Sequence, residues 1–249
     1  MSDRPPKFKV LAYEESPLGL LCLRRWSSLS QPGLVVTEVT LNHEFLMSSH
    51  NTASERALAD VAVEMHSGGD DHNQGLSVLV GGLGLGYTAR AALEHTCVAS
   101  VEVVEYLPQV IGWLREGLVP LSEELNAEAR LAVSQGDAFA RLLGEEGPPD
   151  EAFDLVLIDI DHSPDDRLPL DAEADTPNRR FYTVEGLRQA KRRLAPHGVL
   201  GVWSYAESSP FVDALREVFD EVRVEPIRFE NELIDSVETD WLFFARDRA

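Results

Sequence analysis

The chain has 249 residues, 44% of them apolar and 26% charged, with a formal charge of −21. That is the composition of an ordinary globular protein long enough for a substantial core; its acidity argues against a nucleic-acid partner, which needs a basic face. No apolar run reaches the length of a membrane span, and "MSDRPPKFKV" lacks a signal-peptide core, so a soluble, cytoplasmic protein with no membrane partner is expected.

Residues 8 to 50 alternate and turn like β structure. "FKVLAYEES", "GLLCLRRW" and "GLVVTEVTL" are strand-like runs, broken by Ser-Pro-Leu-Gly and Gln-Pro-Gly. From Ser54 the period changes. Leu58, Val61 and Met65 share a helical face, and Gly68-Gly69 ends the run. A small N-terminal β domain over 1–53 and an α/β domain over 54–249 are expected.

Beyond that point strands and helices alternate. "LSVLVG", "SVEVVE", "ARLAVSQ", "FDLVLIDI" and "GVLGVW" read as strands, with helical patterns at about 87–95, 107–118, 138–144 and 183–194 between them. The alternation predicts a doubly wound, mostly parallel Rossmann-like sheet with helices on both faces. Ser209-Pro210 opens one more helix. The runs "EVRVEPIRF" and "DWLFFARD" follow without a crossover and are expected to pair antiparallel. Residues 162 to 180 form one long connection with five acids and three prolines, either a binding loop or solvated surface.

"VLVGGLGLGYTARAALEH" places a glycine loop between a strand and a helix, a setting that suits a nucleotide-like ligand. Gly84-Leu85-Gly86-Tyr87-Thr88-Ala89 fits the dinucleotide fingerprint. Gly82-Leu83-Gly84-Leu85-Gly86 fits the G-x-G-x-G loop of proteins that bind S-adenosylmethionine, and a purely structural turn is the third reading. Glu105 ends the second strand of the series, where a carboxylate accepts from ribose hydroxyls. Asp137 follows the third strand, within reach of an adenine amino group. Asp159 and Asp161 end the fourth, at the edge that faces the ligand crevice. An acidic pair there suits an amine acceptor better than a dinucleotide.

Those segments resemble the spermidine synthase family of polyamine aminopropyltransferases, within the class I S-adenosylmethionine-dependent methyltransferase-like fold. The glycine segment is similar to that family's GGGDGGTLREVLKH, agreeing at Gly82, Gly84, Gly86, Thr88, Arg90, Leu93 and His95. "VEVVEYLPQVI" is similar to VTLVEIDPEVI, and "FYTVEGLRQAKRRLAPHGVL" to LFTEEFYRLVKRALKPGGVL. "GDAF" matches the family's adenine-contacting segment and implies Asp137 and Ala138 as adenine contacts. The resemblance implies a homodimer that transfers an aminopropyl group from decarboxylated S-adenosylmethionine to a small cationic amine, as in polyamine biosynthesis. Gly82, Gly84, Gly86 and Glu105 would bind the donor, and Asp159 would be the catalytic base.

The departures are specific. Leu85 stands where the family has an Asp that holds the donor's amine. The family's DSSDP reads Asp159-Ile160-Asp161-His162-Ser163-Pro164, its YHE reads Ser54-Glu55-Arg56, and its cofactor-contacting Gln falls near Leu46 or Met47. Asp161, His162 and Tyr182 are expected on the acceptor side, although Phe181-Tyr182 also suits a core anchor. Trp203 borders the acceptor pocket or packs in the core. Intact S-adenosylmethionine would bring a carboxylate, for which the loop amides and Arg90 are the available donors. Methyl transfer to a small acceptor is therefore the alternative. A non-catalytic nucleoside-binding homologue comes next, then a dehydrogenase. Cys22 and Cys97 do not make a disulfide framework, and His43, His50 and His72 lack ligand spacing, so no metal is expected.

Overall fold

The computed structural model describes residues 8–28, 31–67, 75–148, 151–160, 176–231 and 236–248. Four N-terminal strands, β1 (Phe8–Ser16), β2 (Gly19–Ser27), β3 (Val35–Leu41) and β4 (Glu44–Ser48), form an antiparallel meander. The β1–β2 turn closes where Ser16 Oγ donates to the Gly19 carbonyl at 2.7 Å. At the β3–β4 turn, Asn42 and His43 both take positive φ, and Asn42 Oδ1 accepts from the Leu20 amide at 2.9 Å. Asn tolerates that backbone region better than most residues. Leu21, Leu23 and Val39 are buried and join the core that also holds Leu58 and Ala62. Both of the latter lie on helix α1 (Ala53–Ser67), so the meander packs on the main sheet's α1 layer.

The main sheet contains β5 (Leu76–Gly81), β6 (Val98–Glu105), β7 (Leu131–Gln135), β8 (Phe153–Ile158), β9 (Leu194–Ser204), β10 (Glu221–Asn231) and β11 (Ser236–Arg246). Its order is β10-β11-β9-β8-β5-β6-β7. The five strands from β5 to β9 are parallel, while β11 is antiparallel to both β9 and β10. The apolar runs of β5 and β8 follow from burial on both faces. Val78, Val80, Leu155 and Leu157 face one core, and Leu79, Val156 and Ile158 face the other. Chain order reverses between β5 and β8, and in open α/β sheets the carboxyl ends of such strands border the ligand crevice.

The helices α2 (Tyr87–Glu94), α3 (Pro108–Arg115), α5 (Ala138–Leu142) and α7 (Val184–Lys191) sit where the periodicity places them, each shorter than its pattern. Two helices lie outside the predicted set. Helix α4 (Ser122–Ala127) has six residues, too few to show a period. Helix α6 (Pro177–Phe181) occupies the end of the segment read as one long connection, with Pro at its first position. The pattern to residue 194 overshoots, because Leu194 already pairs with Phe153 and so belongs to β9. Helix α8 (Ser209–Val218) opens at Ser208, whose side chain accepts from the Phe211 amide. No helix among the described residues is long and apolar enough to cross a membrane.

Candidate active site

The glycine loop leaves β5 at Gly81 and turns through three positive φ values, +94° at Gly82, +52° at Gly84 and +93° at Gly86. A Cβ on Gly82 would lie 2.3 Å from the carbonyl oxygen of Asp159, and one on Gly86 would lie 2.4 Å from Leu125 Cδ1. At these two positions the close neighbour is the protein itself. Gly84 is different, since a Cβ there would meet only Met47 Sδ, at 3.5 Å. Met47 is on β4, so the small sheet lays a thioether over the loop near where the family carries its Gln. Leu83 and Leu85 are both buried in the core. The residue that replaces the family's Asp is thus a packing residue.

Glu105, at the end of β6, is buried. Its Oε2 accepts from the Leu83 amide at 2.8 Å, and its Oε1 from the Leu107 amide at 2.7 Å. Burial raises its pKa, and the amides of Leu107, Leu83, Gly84 and Tyr106 oppose that rise. The carboxylate expected to meet ribose therefore also ties the glycine loop to the end of β6. Asp137 caps α5, its Oδ1 accepting from the amides of Phe139 at 2.8 Å and Ala140 at 3.1 Å. Ala138 is buried, and its Cβ would stand 2.9 Å from one built on Gly81. The cap and this contact hold the α5 start against the glycine loop.

Asp159 follows β8 on the α1 and α2 layer, as alternation after Leu155 and Leu157 requires. The residue is part-exposed at the sheet edge, yet its carboxyl lies deep enough for burial to dominate its chemistry. Thr88 Oγ1, on α2, donates to its Oδ2 at 2.5 Å. Two further carboxylates lie close by. Glu55, in the first turn of α1, accepts at Oε2 from Ser54 Oγ at 3.1 Å. Asp240, on β11, accepts from the side chains of Ser54 and Trp203. Burial pushes Asp159 up to about 6, opposed by the Thr88 hydroxyl and helped by Asp240. Burial and then Asp159 push Glu55 up to about 8. At neutral pH the pair therefore contains an ionised Asp159 and a protonated Glu55.

Gly82, Thr88 and Asp159 come together as the sequence places them, beside the tied Glu105. Tyr182 does not join Asp159 in this cluster. Its ring packs against Phe139, Phe181 and Phe211 in the other layer, its hydroxyl has no hydrogen-bond partner, and burial pushes the phenol above its usual range. The core-anchor reading of Phe181-Tyr182 is the one its packing matches. Asp161 and His162 lie outside the described residues. Arg90, read as a donor for a cofactor carboxylate, is engaged by Glu94 at 2.7 Å and Glu124 at 3.0 Å. Trp203 does border the cluster, through Asp240. Sequence reasoning missed the carboxylates of Glu55 and Asp240. Glu55 reads as an ordinary helix-start acid. The one signal for Asp240 was a carboxylate that opens the apolar run "DWLFF".

A separate cleft of about 590 Å³ lies between the small sheet and the α3–α4 segment. Arg25, Thr37, Tyr87, Ser122, Glu123 and Asn126 line it, and none of the sequence-predicted site residues does.

No family model matches the chain. Its sequence is 35% identical over 127 residues to polyamine aminopropyltransferase 2 of Streptomyces coelicolor; this is 50% of the chain but only 21% of that relative's length. The fold is that of a spermidine synthase from Thermotoga maritima, with a TM-score of 0.67 at 18% identity, covering 95% of this chain and 72% of the other. A spermidine synthase in complex with the transition-state analogue AdoDATO gives 0.66 at 18% identity, over 95% of this chain and 71% of that one. Human methyltransferase-like protein 13, in complex with SAH, gives 0.52 at 18% identity over 79% of this chain and 81% of that one. By sequence over half its length and by fold over nearly all of it, the chain is spermidine synthase-like, resembling the polyamine aminopropyltransferases within the methyltransferase-type fold.

Proposed function

We propose that the chain is a transferase that moves an aminopropyl group from decarboxylated S-adenosylmethionine to a small cationic amine. One observation carries the choice of donor. The carboxylates of Glu55, Asp159 and Asp240 gather beside the glycine loop, while Arg90 is held by two glutamates. Such an edge disfavours the carboxylate of intact S-adenosylmethionine and favours an ammonium. Gly82, Gly84, Gly86, Glu105, Asp137 and Ala138 would hold the adenosyl half.

The chemistry follows from the ionised state of Asp159. A protonated amine has no lone pair, so it must first lose a proton to a base within reach. Asp159 takes that proton. The freed amine attacks the methylene carbon bound to the sulfonium, the C–S bond breaks, and methylthioadenosine leaves with a neutral sulfur. Holding the two reactants in line supplies much of the acceleration.

Incubation with each sulfonium compound and a panel of diamines, followed by mass spectrometry, tests this reading. A product heavier by an aminopropyl group is expected. A product heavier by one methyl points to methyl transfer, the reading that Leu85 favours because it removes the family's amine anchor. A homodimer in the cytoplasm belongs to the same proposal and rests on the family resemblance alone.

A further inference from the structure

We propose that Thr88 is a positioning residue for this transfer, its hydroxyl holding Oδ2 of Asp159 so that Oδ1 takes the acceptor's proton. The inference rests on the reading of Asp159 as the base. Thr88 is 2% exposed and sits in the first turn of α2. Its Oγ1 is 2.5 Å from Asp159 Oδ2 and 3.4 Å from the main-chain oxygen of Glu55. A helical Thr hydroxyl often bonds back to its own helix; this one reaches 71 residues along the chain instead.

A hydroxyl has one proton to give. With Asp159 ionised, that proton goes to Oδ2, at a distance typical of a charge-assisted bond. Oδ1 has no hydrogen-bond partner among the described residues. The main chain of Asp159 is also held, its amide donating to the Gly81 carbonyl at 2.8 Å. Both the backbone and one carboxylate oxygen are thus pinned, which leaves one oxygen for proton transfer. In that step the N–H bond of the ammonium breaks, an O–H bond forms on Oδ1, and the electron pair stays on nitrogen for the attack on carbon.

The titratable groups that face Asp159 are Glu55 from α1 and Asp240 from β11, both acids, and Thr88 is the donor from α2. Glu55 and Asp240 raise the basicity of the carboxylate, and Thr88 restrains it. Loss of the hydroxyl therefore moves the acid limb of the pH profile to higher pH, because a donor to the ionised form is gone.

Thr88→Val keeps the shape and removes the donor, and Thr88→Ser keeps the donor. The measurement is methylthioadenosine release against pH, with calorimetric binding of methylthioadenosine beside it. Thr88→Val should lower kcat on the order of tenfold or more, the scale of a lost hydrogen bond to a charge. Its acid limb should move up, and its affinity for methylthioadenosine should stay at the wild-type value. Thr88→Ser should restore both kcat and the limb. If the valine variant does not fold, Thr88→Ala carries the same expectation with no added bulk. An active wild type whose valine or alanine variant has an unmoved limb overturns the role, as does a serine variant impaired like valine. A wild type that transfers nothing from either sulfonium sinks the functional reading first and this role with it.

Discussion

The carboxylate of Glu105 holds the amide of Leu83, 22 residues earlier in the chain, at 2.8 Å, and the amide of Leu107, two residues later, at 2.7 Å. One buried side chain thus fastens the glycine loop to the strand beside it. Glu105→Ala would strand both amides, at about 1–3 kcal/mol for each buried donor left unpaired. Denaturant unfolding should show a loss on the order of 2–5 kcal/mol from that same source. A wild-type midpoint would mean that the loop is held by something else.

The loop glycines should not be equivalent. In Gly82→Ala the new Cβ meets the Asp159 carbonyl oxygen at 2.3 Å, where nothing flexible can give way. Gly84→Ala meets only Met47 Sδ at 3.5 Å. The second change should cost about 1–2 kcal/mol, the left-handed backbone penalty, and the first on the order of 3 kcal/mol or more. Equal losses in thermal unfolding would contradict the contact argument.

Stability should fall as pH rises through the range set by Glu55. Its carboxyl goes from 4.5 to about 8 on folding. A group raised in this way contributes its full stability below its unfolded pKa and loses it as pH climbs through the folded value. At pH 7 the lost part is up to a few kcal/mol. Glu55→Gln, which imitates the protonated form, should be more stable than wild type near pH 8 and should have a flatter profile between pH 5 and 8. Parallel profiles for the two proteins would remove Glu55 from the buried cluster.

Asp137 has a cap to make and, in the proposed site, an adenine to meet. Asparagine caps helices about as well as aspartate, whereas alanine costs about 0.5–2 kcal/mol. Asp137→Asn should therefore keep its stability while losing roughly tenfold in affinity for methylthioadenosine, as expected for one lost charged hydrogen bond. Calorimetry showing full affinity for the Asn variant would confine Asp137 to the cap.

Asp159→Asn keeps the size of the side chain and removes the base. Turnover should drop by about a hundredfold or more, the usual range for a general base. Binding of methylthioadenosine should change little. Near wild-type turnover would reassign Asp159 to structure.

Local pattern was enough for the sheet and the glycine loop. The runs of β5 and β8 are apolar on both faces because helices cover both faces, and that shows in "LSVLVG" and "FDLVLI" without any partner in view. Gly82, Gly84 and Gly86 announced a backbone that side chains rarely adopt, and all three have positive φ. Asp159 was legible as well, because a strand end is a local feature and the order of α/β units puts such ends on one edge. The antiparallel pairing of β10 and β11 followed from their short connection.

Helix α4 was not legible, because six residues are too few to carry a period. Nor were the electrostatics of the site. Glu55, Thr88, Asp159 and Asp240 come from α1, α2, the end of β8 and β11, and only packing brings them together. Sequence cannot say how deeply a carboxyl is buried, and that depth outweighs every neighbour in raising Glu55 and Asp159. The direction of Leu85 was hidden for the same reason. As a residue in a glycine loop it belonged to the expected ligand site; tertiary packing turned it into the core, where an apolar side chain loses its contact with water.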